Sequence, residues 1–383
     1  MDNTTPVRDD ADPFGTDSPE PDETVGPPEP AAARPGARAM TLSIAMLVAA
    51  VLFAVLAVVP APYVVTSPGP TRDTLGDEGG TPLISIAGAP TYASTGQLRL
   101  TTVSATGGPG YPSTLLGVVR GWFDGSSAVR PVEELYPPDA SKDQVDKANQ
   151  AQMTSSQENA TVAALEELGY DVPATLTVAG TTVGSGADGV LHVDDVLVAM
   201  DGTQLTSFAQ LTDALKAMGA GATVHLRLER AGSPTAVDVV TSERTGGGAQ
   251  LGVLINPAFS PPIDVKIKID DIGGPSAGTM FALGIIDKLT PEDEVKGQVV
   301  AGTGTMDISG EVGPIGGIRQ KLVGARRDGA TWFLAPAGDC SEVVGHVPDG
   351  LRVVRIATLH EARQAITAIG AGTADSLPTC TAG

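Results

Sequence analysis

Residues 270–289 read DDIGGPSAGTMFALGIIDKL. Gly273 and Gly274 permit a tight turn, because glycine adopts backbone angles closed to other residues. Pro275 suits a first helical turn. Ala277, Met280, Phe281 and Ile285 then recur at helical spacing. Just upstream, residues 263–269 (IDVKIKI) alternate apolar and charged side chains as a half-buried strand does. Ser276 therefore stands at a strand–turn–helix junction. Backbone N–H groups at a helix start can hold an oxyanion, which suits a nucleophile. A serine there can equally cap the helix. The stretch alone leaves both roles open.

Residues 302–330, GTGTMDISGEVGPIGGIRQKLVGARRDGA, lead through Gly316 and Gly317 into a second helix. With Ile318 as reference, Leu322, Ala325 and Lys321 share its apolar face. Arg319, Gln320, Arg326 and Arg327 fall toward the flanks or the far side. A lysine on an apolar stripe is unusual, since lysine is seldom buried. Burial disfavours the ammonium, and a neutral amine beside a serine can take its proton. A lysine whose stem lies on the stripe while its head reaches solvent is the competing account.

Residues 274–278 also match G-x-S-x-G, the nucleophile elbow of α/β hydrolases. That chemistry needs a later acid and a histidine. Asp328, Asp339, His346 and His360 follow. About 100 residues remain after Ser276, and no His-Gly pair precedes it to supply an oxyanion hole.

Together, GGPSAG and GEVGPIGGIRQKL resemble the two catalytic motifs of the Lon peptidase family. The resemblance implies Ser276 as nucleophile, Lys321 as base and Thr303 as a supporting residue. Lon itself usually carries an acidic residue three before the serine; this chain has Gly273, so no acidic helper is assigned. The family's peptidase domains form rings, which makes a homo-oligomer an expectation.

Outward toward the amino terminus, residues 175–242 form a compact pattern. LTVAG and VLVAMDG read as strands, SFAQLTDALKAMG as a helix, and TVHLRLER and AVDVVT as strands. The order resembles a PDZ domain, which binds extended peptides at a sheet edge. Asp194-Asp195 replaces the usual Gly-Asp, and no SPA string opens the unit. GQLRLTTVSA (96–105) reads as a strand. Residues 106–150 read as irregular, and residues 153–169 as a helix with a Ser155/Glu158 capping box. Both flanking elements resemble the start of the Lon peptidase fold, so the PDZ-like unit reads as an insertion in it. The arrangement is similar to the PDZ-containing, membrane-anchored Lon-like proteases of bacteria.

Residues 41–59 are an uncharged apolar run, long enough to cross a bilayer as a helix. Arg34 and Arg38 precede it and the next basic residue is Arg72, which places the amino terminus in the cytoplasm and the bulk outside. Residues 1–39 are rich in Asp, Glu, Pro and Ala and read as a disordered tail. The net charge of −21 argues against nucleic acid. Cys340 and Cys380 lack metal-ligand spacing, so no metal or other cofactor is expected. Outside the cytoplasm their pairing is favoured, and closing about 40 residues stabilises by roughly 4 kcal/mol. No G-x-x-x-x-G-K-[ST] string occurs in the 383 residues, so no ATP-driven unfolding is expected and substrates should be peptides or flexible protein segments.

The expected class is α+β: tail 1–39, transmembrane helix 40–60, membrane-proximal segment and first part of the peptidase fold 61–170, PDZ-like unit 171–245, peptidase 246–370 and tail 371–383. The expected activity is a Ser–Lys endopeptidase. An inert peptide-binding module and an esterase remain as alternatives.

Overall fold

The computed structural model describes residues 36–244 and 248–381. The expected disorder of residues 1–35 lies outside the described residues. The chain divides into two compact units, Met1–Val55 and Leu56–Gly383.

Helix α1, Ala37–Val58, has 22 residues and none of them is buried. At 1.5 Å per residue it is about 33 Å long, close to a bilayer's hydrocarbon thickness. Its most apolar 18-residue window has a mean hydropathy of 2.7. By length and composition it can cross a membrane.

In the second unit the order is strand β1 (Tyr63–Asp73), strand β2 (Gln97–Thr106), helix α2 (Leu115–Phe123), strand β3 (Ala128–Pro131) and helix α3 (Lys142–Glu167). Then come β4 (Ala174–Thr181), β5 (Val196–Met200), α4 (Phe208–Lys216), β6 (Thr223–Arg230), β7 (Ser233–Val240) and β8 (Val253–Phe259). The chain continues with α5 (Gly278–Leu289), β9 (Val299–Gly302), α6 (Ile318–Arg327), β10 (Trp332–Pro336), β11 (Arg352–Ile356) and α7 (Leu359–Gly370). The class is mixed α+β.

One six-stranded sheet runs β11-β10-β9-β2-β1-β3. Strands β11, β10, β9 and β2 are parallel neighbours, whereas β1 is antiparallel to both β2 and β3. Strand alternation divides this sheet's side chains between two cores. Val300 and Leu334 join Phe281, Ile285 and Ile286 of α5 on one face. Ala301 and Phe333 join Ile318, Leu322 and Ala325 of α6 on the other. The helix that follows Ser276 and the helix that carries Lys321 thus cover opposite faces of one sheet.

The second sheet, β7-β6-β5-β4-β8, is antiparallel throughout and holds its own core of Leu176, Leu197, Leu226 and Leu228. Its residues fall in sequence between β2 and β9, which are themselves paired. Strand β8 pairs with β4 along its length, so this sheet runs on to Phe259, beyond the boundary at residue 245 expected from the sequence. Asp194 has φ +71°, the left-handed conformation that the more usual glycine adopts freely. Asp195 is buried and pairs with Arg230 at 2.7 Å.

Two local expectations need correction. Helix α3 begins eleven residues earlier than the spacing suggested, capped by Ser141, whose side chain accepts from Gln144 N–H while the Gln144 side chain accepts from Ser141 N–H. Ser155 lies inside the helix, because the polar segment 142–152 has good helix formers and no breaker. Residues 106–150 are not irregular: they contain α2, capped by the Thr114 side chain on Gly117 N–H, and strand β3.

Candidate active site

Ser276 precedes α5, and Thr303 immediately follows β9. Lys321 lies in the first turn of α6. The three meet beyond the carboxyl end of β9, where the helices from the two faces converge. Ligand sites of open α/β sheets commonly occupy this position.

Lys321 Nζ is 2.8 Å from Ser276 Oγ and 2.9 Å from Thr303 Oγ1. Thr303 Oγ1 donates in turn to the carbonyl oxygen of Ser276 at 2.9 Å. Gly304 N–H donates to the same carbonyl at 3.0 Å. A hydroxyl has one proton, and that of Thr303 is committed to Ser276 O, so Thr303 can only accept from Lys321. A neutral Lys321 amine then has one further N–H and its lone pair, and the lone pair can face the Ser276 hydroxyl 2.8 Å away.

Lys321 is 2% exposed and Thr303 is fully buried. Burial pushes Lys321 down from 10.5 to about 7, and the charge of Asp339 opposes part of that fall. Asp339 is itself buried, accepts from Ile315 N–H at 3.0 Å, and is raised by its burial. The lysine head does not reach solvent as the snorkelling account required. Gln320 is also buried, contrary to its expected place on a flank.

Gly304 has φ +149°, and a Cβ there would stand 2.4 Å from Thr279 Oγ1. The backbone can therefore pass between β9 and α5 only as glycine. Ser156 of α3 donates to Pro275 O at 3.0 Å and fixes the turn before the serine from the other side. The sequence offered no sign of this contact.

A cleft of about 530 Å³ opens over Ser276 and Lys321, walled by residues 100–105 of β2, Met153 and residues 271–277. A second hollow of about 800 Å³ adjoins Pro275 on the other side, between α3 and the hairpin Thr305–Gly313. The tip of that hairpin, Asp307–Ser309, also walls a groove between α4 and β8.

The histidines are elsewhere. His346 Nδ1 faces Val344 O, and the His360 ring lies between Glu167 and Gln364. Neither contacts Ser276, so a Ser–His arrangement is not assembled. Cys340 and Cys380 form a disulfide that ties the segment after α7 back to the short helix after β10. Among the described residues no group of His, Cys, Asp and Glu could hold a metal ion.

Residues 265–368 match the Lon protease (S16) C-terminal proteolytic domain. Lon protease 1 of Bacillus subtilis is 32% identical over 114 residues, covering 28% of this chain and 14% of that protein. Lon protease 2 of Herpetosiphon aurantiacus is 37% identical over 106 residues, 26% of this chain and 13% of its own length. The chain thus spans about one seventh of the length of these relatives. The PDZ domain of the SdrC-like protein from Listeria monocytogenes is 20% identical, with a TM-score of 0.20, over 21% of this chain and 85% of that one. Ser276, Thr303 and Lys321 all lie within the matched residues 265–368.

Proposed function

We propose that this chain is an ATP-independent serine endopeptidase, held in a membrane by α1, with its amino terminus in the cytoplasm and its catalytic unit outside. Ser276 is the nucleophile, Lys321 the base and Thr303 the residue that orients the amine. The observation that carries the reading is the 2.8 Å approach of the buried Lys321 amine to Ser276 Oγ.

Neutral Lys321 accepts the Ser276 proton as Oγ adds to the substrate carbonyl. The amine N–H on Thr303 keeps its lone pair aimed during the transfer. Backbone N–H groups at the start of α5 stabilise the oxyanion, since a helix start leaves such groups without intrahelical partners. The ammonium returns its proton to the leaving amine, and water hydrolyses the acyl-enzyme by the same base.

The cleft beside β2 and the hollow beside α3 hold the extended substrate on the two sides of the scissile bond. The PDZ-like unit, with its groove between α4 and β8, captures or reports peptide ends. The halves 61–170 and 260–370 act as one peptidase fold around it. Substrates are peptides or flexible segments, because the 383 residues carry no nucleotide-binding P-loop.

The test is cleavage of an unfolded protein by the full chain and by Ser276→Ala and Lys321→Ala. Activity falls by three or more orders of magnitude in each, by analogy with removal of catalytic nucleophiles and bases. Full activity in either variant refutes the dyad. Loss on changing His346 or His360, with Lys321 dispensable, would indicate the esterase chemistry. An unmodified chain that neither cleaves nor labels with a serine-reactive probe would indicate a binding module.

A further inference from the structure

Helix α2 buries Val118 and Gly121 against the sheet and leaves a second apolar stripe uncovered. Val119, Trp122 and Phe123 stand three and four residues apart on that stripe, 36%, 64% and 87% exposed. Trp122 meets Tyr63 in an edge-on arrangement, with ring centroids 6.3 Å apart. Such a face is unexpected in a chain with 4% aromatic residues, where most large rings would be needed inside.

The place of α2 in the fold supplies its neighbour. Leu56–Val58, the last residues of α1, belong to the same compact unit as α2. Directly after them, Pro60 and Ala61 pair with Thr114 and Ser113. Leu115 N–H, the first of α2, donates to Val59 O at 3.1 Å. The first residue of α2 is therefore hydrogen-bonded to the residue that follows the anchor helix. Tyr63, five residues beyond the anchor, meets Trp122 at the far end of α2.

We propose that the Val119, Trp122 and Phe123 face of α2 lies in the headgroup region of the bilayer and seats the catalytic unit on the membrane surface. The proposal rests on the reading of α1 as a membrane anchor. Tyrosine and tryptophan favour this interface because each has an apolar ring and a polar handle. The net charge of −21 makes electrostatic attraction to acidic lipid an unsuitable driving force, so the contact is apolar and insensitive to lipid charge.

Both cysteines are in the disulfide, so Phe123→Cys introduces one free thiol. That thiol is labelled with an environment-sensitive fluorophore in the full chain, reconstituted in phosphatidylcholine vesicles. Val183→Cys, at an 89% exposed site remote from α2 in sequence, serves as the control. The expected result is a blue-shifted emission at position 123, quenched by brominated acyl chains and shielded from aqueous quencher, with neither effect at position 183. Unlabelled protein gives an independent measure, because lipid quenching of Trp122 is expected while Trp332 is buried. A chain that floats with the vesicles but keeps position 123 water-accessible overturns the proposal and leaves the anchor intact. A chain that fails to float overturns both. Shielding that grows with protein-to-lipid ratio, together with cross-links between copies at position 123, assigns the face to a second copy and also overturns it.

Discussion

Replacing Lys321 by Met separates stability from activity. Burial takes this amine from 10.5 to about 7. At about 1.4 kcal/mol per pKa unit, that fall corresponds to about 5 kcal/mol of disfavoured charge. The sign follows from where the proton resides. Between pH 7 and 10.5 the unfolded chain keeps the lysine charged while the folded protein does not. The unfolded state binds the extra proton, so stability rises with pH across that window and the full cost applies below pH 7. Methionine fills a comparable volume without a charge. It also forfeits the hydrogen bonds to Ser276 and Thr303, each about 1 kcal/mol. Lys321→Met is therefore expected to exceed the parent by about 2–4 kcal/mol at pH 6 and to lose that advantage by pH 10, while being inactive. Urea denaturation of the full chain in nanodiscs at pH 6, 8 and 10, beside cleavage of an unfolded protein, measures both. A stability gap equal at pH 6 and pH 10, or a variant less stable than the parent at pH 6, refutes the linkage.

The dyad also requires kcat/KM to rise with pH, about tenfold per unit below pH 7 and level above it, as the neutral base forms; a flat profile from pH 5 to 9 counts against it. Thr303→Val removes the acceptor for Lys321 N–H and the donor to Ser276 O, so kcat should fall about 10- to 100-fold with KM nearly unchanged in steady-state assays. Converting Cys340 and Cys380 together to Ser should lower unfolding free energy by about 2–4 kcal/mol in denaturant titrations under oxidising conditions, with activity at low temperature retained. Arg230→Leu leaves buried Asp195 unpaired and should destabilise the β4–β8 unit by about 3–5 kcal/mol, read by hydrogen exchange at β5 and β6.

The approach of Lys321 to Ser276 was legible because its geometry is written in local constraints. Gly274 and Gly317 have φ +86° and +72°, conformations that favour glycine, and the turns place Ser276 just before α5 and Lys321 in the first turn of α6. Lys321 stood out because it broke an apolar stripe. Ser141/Gln144 and Ser155/Glu158 both satisfy the same short pattern, and the helix-forming segment 142–152 carries α3 back to the earlier cap. Helix α2 was missed because Gly117 and Gly121 lower its intrinsic propensity, whereas Gly121 is needed where a Cβ would stand 2.9 Å from Val65. The membership of β8 was not legible, since its partner β4 lies some seventy residues upstream and alternation carries no information about pairing.

The matched segment, residues 265–368, contains all three polar groups of the site yet does not by itself bury them. Helix α6 covers the opposite face of the sheet from α5, and its close neighbours there are β1 and β2. A Cβ at Gly324 would lie 3.2 Å from Gly69 O, and one at Gly317 would lie 2.8 Å from Val103. Those strands precede the inserted sheet. They also supply the cleft wall at residues 100–105, and α3 supplies the hydrogen bond to Pro275 O. A chain cut to residues 265–383 would keep Ser276, Thr303 and Lys321 but open the far side of α6 to water. The amine would then regain its hydration, and with it a proton at neutral pH. The low lysine pKa is thus a property of strands brought together across the inserted unit, and the proposed base and nucleophile require both halves of the sheet.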